Sequence, residues 1–234
     1  MEYRRSANFI PTYFIICKFT TSVAKLQVAA IRRSLNFSQT FFLLKNNFFF
    51  RIFDKIKLIM EEENVILVNH NDEQIGLMPK MEAHQKAVLH RAFSVFILNN
   101  KNEIMLQQRA NQKYHSPLLW TNTCCSHQRN GETNIQAGSR RLFEEMGFET
   151  SLKELFHFIY KAPFDNGLTE HELDHVMIGY YEGEPKINLD EVENWKWMGI
   201  EDVVKDMQLQ PEIYTVWFKI IFDEFYHYLA DHKI

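Results

Sequence analysis

The chain has 234 residues and a formal net charge of −4, and that charge is unevenly divided. Residues 1–59 carry ten of the 26 Lys and Arg, two acids (Glu2 and Asp54), half of the 20 Phe and no Gly or Trp. Residues 60–234 hold the other 16 basic and 28 acidic side chains, a formal −12, which argues against non-specific nucleic-acid binding. Three cysteines, two of them adjacent, give no disulfide framework, so a reducing, cytoplasmic setting is expected.

The shift in composition at Met60 divides the chain into an N-terminal extension, 1–59, expected to be disordered, and a domain over 60–234. The extension is acid-poor, with Arg4, Arg5, Arg32 and Arg33, as a targeting segment would be. Stable membrane insertion is not expected. A span needs about 18 apolar residues in a row, and Lys18, Arg32, Arg33 and Lys45 interrupt every candidate. A misplaced start is the other main reading, because residues 41–50 resemble translated A/T-rich non-coding DNA and Met60-Glu61-Glu62-Glu63 reads as a natural beginning. A real interaction arm is the third.

In the domain, residues 65–68 and 75–78 flank a polar stretch and predict a hairpin. Residues 81–89 predict a helical turn or loop carrying His84. Residues 91–98 and 104–108 predict strands joined by the turn chemistry of Asn99-Asn100-Lys101-Asn102. A polar loop fills 110–119. Thr133 and Gln136 form a capping box, and the helix they open runs to Met146, where Gly147 can end it in the left-handed conformation. Strands are predicted over 155–160, 173–181 and 193–199, the last with Trp195 and Trp197 on one face. A short helix follows over 201–207. The final helix is expected to carry Pro211 in its first turn and apolar residues from Ile213 to Tyr228 on its buried face. Strands and helices in this order predict an α/β (α+β) sandwich with helices covering a mixed sheet.

His84, His90, His127, Glu170 and Glu172 read as one metal site. Glu170 and Glu172, two apart on a strand, point the same way, which turns His171 to the other face. Cys125 lies two residues before His127, where nearby positive charge is expected to lower the thiol pKa and favour thiolate. Cys124 reads as structural filler. A thiol and a metal-held carboxylate make a proton donor and acceptor suited to moving a hydrogen between carbons.

From Ser126 to Phe148, the residues Glu132, Arg140, Leu142, Glu144, Glu145, Gly147 and Phe148 fall at the spacing of a Nudix box. Ser126 stands where that motif opens with glycine, and Arg141 where an acid is expected. The second change weakens a hydrolase reading and adds a phosphate-binding fork.

With these motifs, His84 to Ser94, Trp120 to His127 and Glu170-His171-Glu172 make residues 64–230 similar to type 1 isopentenyl-diphosphate Δ-isomerases of the Nudix superfamily. Gln128, where many members carry proline, is a small departure. The resemblance implies a Nudix-type α/β/α sandwich that interconverts isopentenyl and dimethylallyl diphosphate by adding and removing protons through a tertiary carbocation. It implies Mn²⁺, Zn²⁺ or Mg²⁺ on His84, His90, His127, Glu170 and Glu172. A second Mg²⁺, bound with the substrate diphosphate, would be held by Glu145 and the Cys125 backbone carbonyl. On the same ground Glu172, assisted by Tyr160, protonates the alkene and Cys125 removes the allylic proton, the roles exchanging in reverse. Trp217 faces the cation, with Trp120 closing the wall, and Lys80, Arg109, Lys113 and Arg141 contact the diphosphate. The expected partner is a small isoprenoid diphosphate, acted on by a monomer. A Nudix hydrolase and a non-catalytic Nudix-fold binding module remain as alternatives.

Overall fold

The computed structural model describes residues 64–164 and 167–232, so the extension expected over 1–59 lies outside the described residues. Strands β1 (Asn64–Val68) and β2 (Gln74–Pro79) form the expected antiparallel hairpin. Helix α1 (Lys80–Lys86) then ends on Ala87, whose φ of 51° is left-handed. Strands β3 (His90–Leu98), β4 (Glu103–Arg109), β5 (Trp120–Thr121) and β6 (Cys124–Ser126) precede helix α2 (Asn134–Met146). Strands β7 (Lys153–Pro163), β8 (Thr169–Tyr180) and β9 (Val192–Gly199) lead to helices α3 (Ile200–Leu209) and α4 (Val216–His232). Among the described residues no helix is long and apolar enough to cross a membrane.

β3 is the axis of a mixed nine-stranded sheet. Along one edge it pairs in parallel with β8, from His90↔Glu172 to Leu98↔Tyr180, and β7 continues that side antiparallel to β8. Its other edge meets β1 at His90, β6 at Phe93 to Val95 and β4 at Leu98, with β9 beyond β4. Because both faces of β3 are covered, its sequence reads as a near-continuous apolar run. Phe96 and Leu98 pack with Trp217, Phe218 and Phe225 under α4. Val95 and Ile97 pack with Leu142 and Met146 under α2, completing the expected helix–sheet–helix layering.

The capping box on α2 is formed. The Thr133 hydroxyl accepts from the Gln136 N–H, and the Gln136 side chain accepts from the Thr133 N–H. Gly147 ends the helix at φ 72°. Gln128, the departure from proline, donates from its amide to the Asn134 side chain at that helix start. Pro211 departs from expectation: it sits on a separate 3-10 turn, Pro211–Ile213, and α4 begins at Val216. The reason is Thr215, whose hydroxyl accepts from the Phe218 N–H at 3.2 Å as a helix cap while its own N–H donates to the Trp120 carbonyl at 3.0 Å.

Candidate functional site

Strand register assembles the site. Glu172 on β8 stands directly beside His90 on β3 and directly opposite Tyr160 on β7, so three side chains form a row across the sheet. Tyr160 donates its hydroxyl to Glu172 Oε2 at 2.5 Å. Glu170 lies two residues back on the same face, and His171 turns away, its Nδ1 2.9 Å from the Ala87 carbonyl. α1 brings His84 to the row, and the chain leaving β6 brings His127, whose Nε2 is 2.9 Å from Glu172 Oε1.

The five donors are buried, and one ligand atom from each lies within 4.8 Å of all the others. Ligands about 2.1 Å from a shared ion span at most about 4.2 Å, so the cluster is the size of one slightly expanded coordination sphere. His84 Nε2, His90 Nε2 and Glu170 Oε2 have no hydrogen-bond partner among the described residues. The His90 Nδ1, 2.8 Å from the Val88 carbonyl, orients the ring and leaves Nε2 facing the site. Burial pushes His84 down to about 3 and His127 down to about 4, which keeps both rings neutral with lone pairs available. Burial and the neighbouring Glu172 push Glu170 well up, whereas the hydrogen bond from His127 and the His90 imidazole 3.5 Å away overcome burial and hold Glu172 well down. Two buried acidic side chains facing three imidazoles fit a divalent cation, which would offset the repulsion between the acids.

β6 places the two cysteines on opposite faces. Cys124 is fully buried in the core under α2, and Cys125 packs toward α4. Cys125 and Glu172 line one cavity of about 80 Å³, with Tyr160 and Trp217. Burial pushes the Cys125 thiol up to about 12 against the pull of Arg109, opposite in direction to the lowering expected from nearby positive charge. Trp217 is held by its indole N–H, which donates to Thr121 Oγ1 at 3.1 Å, and Arg109 sits 5.0 Å over its ring. Trp120 does not close the wall. It pairs with Gln108 and Tyr214 and lies under Lys196, 4.4 Å from the ring centre.

Lys80, Arg109, Lys113 and Arg141 all reach the same cavity. Arg141, expected as a phosphate fork, is engaged with acids. It donates to Glu144 at 2.9 Å and to Glu145 at 2.6 Å, and lies 3.3 Å from Glu191. Its Nε, like that of Arg109, is buried without an acceptor among the described residues. Glu145 also accepts from Gln107 at 2.9 Å, so both its oxygens are engaged. Glu144 faces outward, and Arg140 joins Glu132 to it, pinning the loop of the Nudix-like motif to its helix.

Sequence reading missed four neighbours: Gln107, His115, Asp174 and Glu191. Asp174 continues the period-two face of Glu170 and Glu172, a signal present in the sequence. It is buried, and burial with Glu172 pushes its carboxyl well up. His115 stacks on Phe164 and meets the edge of Trp217, and burial with Arg109 pushes it down to about 3. It sits in a loop without periodicity, where nothing in the sequence marks it.

Residues 88–218 match the NUDIX domain family. The chain is 48% identical over 158 residues to a protein named isopentenyl-diphosphate Delta-isomerase from Pectobacterium atrosepticum, covering 68% of this chain and 88% of the relative. A Photorhabdus laumondii protein named isopentenyl-diphosphate Delta-isomerase 2 is 49% identical over 160 residues, covering 68% and 90%. Among solved structures, DR0079 from Deinococcus radiodurans superposes with a TM-score of 0.59 at 19% identity, over 69% of this chain and 98% of that one, a likeness of fold.

Proposed function

This chain belongs to the isopentenyl-diphosphate Delta-isomerase family, on the Nudix fold, and from that premise we propose that it interconverts isopentenyl and dimethylallyl diphosphate. The observation that carries the reading is that Cys125 and Glu172 line one small cavity. Moving a C=C bond by one position needs a proton added at one carbon and another removed two carbons away. One group must therefore be loaded and the other empty. Burial raises the Cys125 thiol, and the hydrogen bond from His127 lowers the Glu172 carboxyl against burial, so the two groups differ in proton affinity. Glu172, assisted by Tyr160, is assigned the protonation of the alkene and Cys125 the removal of the allylic proton, the roles exchanging in reverse. Both directions of the reaction use the same two groups.

Tyr160 holds Glu172 in place and, as a phenol that burial keeps neutral, provides a hydroxyl at the reacting carboxylate. Trp217, 4% exposed, presents an aromatic face where positive charge develops and helps exclude water that would trap a tertiary cation. A divalent ion, Mn²⁺, Zn²⁺ or Mg²⁺, is assigned to His84, His90, His127, Glu170 and Glu172, where it supplies charge that orders the carboxylates. Arg109, Lys113, Arg141 and Lys80 are assigned to the diphosphate, and Glu145 with the Cys125 carbonyl to a Mg²⁺ arriving with it. The same proposal has the enzyme acting as a monomer in the cytoplasm, which sedimentation and cell fractionation check.

The decisive test is incubation with isopentenyl diphosphate and Mg²⁺ in deuterated water. The expected result is an acid-labile allylic diphosphate carrying solvent deuterium. Released phosphate instead would assign the site to hydrolysis. Unchanged substrate would leave a binding module.

A further inference from the structure

Glu191 belongs to no motif, yet it lines the cavity beside the cations assigned to the diphosphate. Its carboxylate accepts from the Lys113 ammonium and lies 3.3 Å from the Arg141 guanidinium. These cations come from distant parts of the chain. Lys113 sits in the 110–119 loop, and Arg141 sits on α2. Two like charges brought together repel, and a long lysine side chain on a loop gains rotamer freedom by turning to solvent. A carboxylate between them offsets both tendencies.

The backbone holds Glu191 in position. Its carbonyl accepts from the Ala110 N–H at 3.0 Å, at the start of the Lys113 loop. Its N–H donates to the Asn188 carbonyl at 2.9 Å, and the Asn188 N–H donates to the Glu145 carbonyl at 2.9 Å, near the end of the helix that carries Arg141. Asn188 also folds its own turn by accepting from the Asp190 N–H at 3.1 Å. Against the upward push of partial burial, Arg141 and Lys113 hold the Glu191 carboxyl below its usual range, so it stays a charged partner.

We propose that Glu191 is a positioning residue for the diphosphate: shared between Lys113 and Arg141, it clamps the 110–119 loop cation to the helix cation so that both meet the diphosphate already ordered. This rests on the isomerase reading of the site. A carboxylate at the rim also repels the ligand, but the structure favours positioning over repulsion. Arg141 has Glu144 and Glu145 to order it, whereas Glu191 is the one carboxylate recorded with the Lys113 ammonium among the described residues.

The test uses the full chain with Glu191→Gln, which keeps the shape and removes the charge. Calorimetry with inorganic diphosphate and Mg²⁺ reads the clamp without turnover. Steady-state kinetics with isopentenyl diphosphate read KM and kcat. The expectation is about a tenfold rise in both the diphosphate Kd and KM, with kcat within about threefold and the melting temperature kept. Glu191→Asp should recover part of the loss. Lys113→Met should raise KM by itself and add little when combined with Glu191→Gln. An unchanged or lowered Kd in Glu191→Gln overturns the proposal, as does a loss confined to kcat. If Glu191→Gln does not fold, Lys113→Met alone must still raise the Kd, and an unchanged value overturns the clamp. Wild-type protein that binds inorganic diphosphate but leaves isopentenyl diphosphate unchanged counts against the activity and leaves the clamp standing.

Discussion

Removing one oxygen from Tyr160 probes the center of the row across β7, β8 and β3. Tyr160→Phe keeps the ring, which is 7% exposed, and deletes the 2.5 Å hydrogen bond to Glu172 Oε2. Hydrogen bonds to charged groups contribute about 1.5–3 kcal/mol, and the freed oxygen is buried, so water replaces the hydroxyl poorly. If that interaction is felt fully in the transition state, kcat falls about 10- to 150-fold. The fold should survive. A loss of about 1–3 kcal/mol lowers Tm by roughly 2–12 °C for a domain of this size. Solvent-deuterium incorporation into the allylic product, followed at 25 °C, measures the rate, and calorimetry measures Tm. The control is a double-mutant cycle with Glu172→Gln: once the carboxylate is gone, losing the hydroxyl should cost little more. A Tyr160→Phe enzyme within threefold of wild-type kcat would refute the reasoning, as would full additivity in the cycle.

Trp217→Ala should cost about thirtyfold more rate than Trp217→Phe, since a desolvated cation–π contact contributes about 2 kcal/mol; equal losses measured in the same assay would remove the aromatic face from the mechanism. Chelating the metal should abolish turnover and lower Tm by roughly 5–11 °C, because an ion at a hundred times its Kd stabilises by about 2.7 kcal/mol, and readdition with metal analysis should restore one equivalent and the melt. A Tm indifferent to chelator would leave the His84–His90–His127–Glu170–Glu172 cluster without an ion. Gly147→Ala should destabilise by more than about 2 kcal/mol, as a Cβ at φ 72° would lie 2.4 Å from the Lys186 carbonyl oxygen; an unchanged thermal melt contradicts it.

Much of the candidate site lay within reach of the sequence because its signals are local. The capping box at Thr133 and Gln136 and the helix end at Gly147 depend on contacts within one helical turn. Glu170 and Glu172 share a face because strand side chains alternate, whatever lies opposite. The same rule applied one step further would have found Asp174. The start of α4 was misread for the converse reason. Pro211 is a good first-turn residue on its own, but Thr215 and the contacts of Tyr214 and Thr215 with Trp120 decide where the helix begins.

Sequence alone therefore determined the layered α/β architecture, the donor types and the side of β8 on which its acids stand. Tertiary structure decided that His90 and Tyr160 flank Glu172, that Cys125 and Glu172 line one cavity, that Trp120 leaves the wall to Trp217, and that Glu191 joins two cations from separate segments. Backbone periodicity acts over a few residues and is written in their order, whereas register, burial and long-range ion pairing depend on which distant segments the folded sheet brings within a few ångströms.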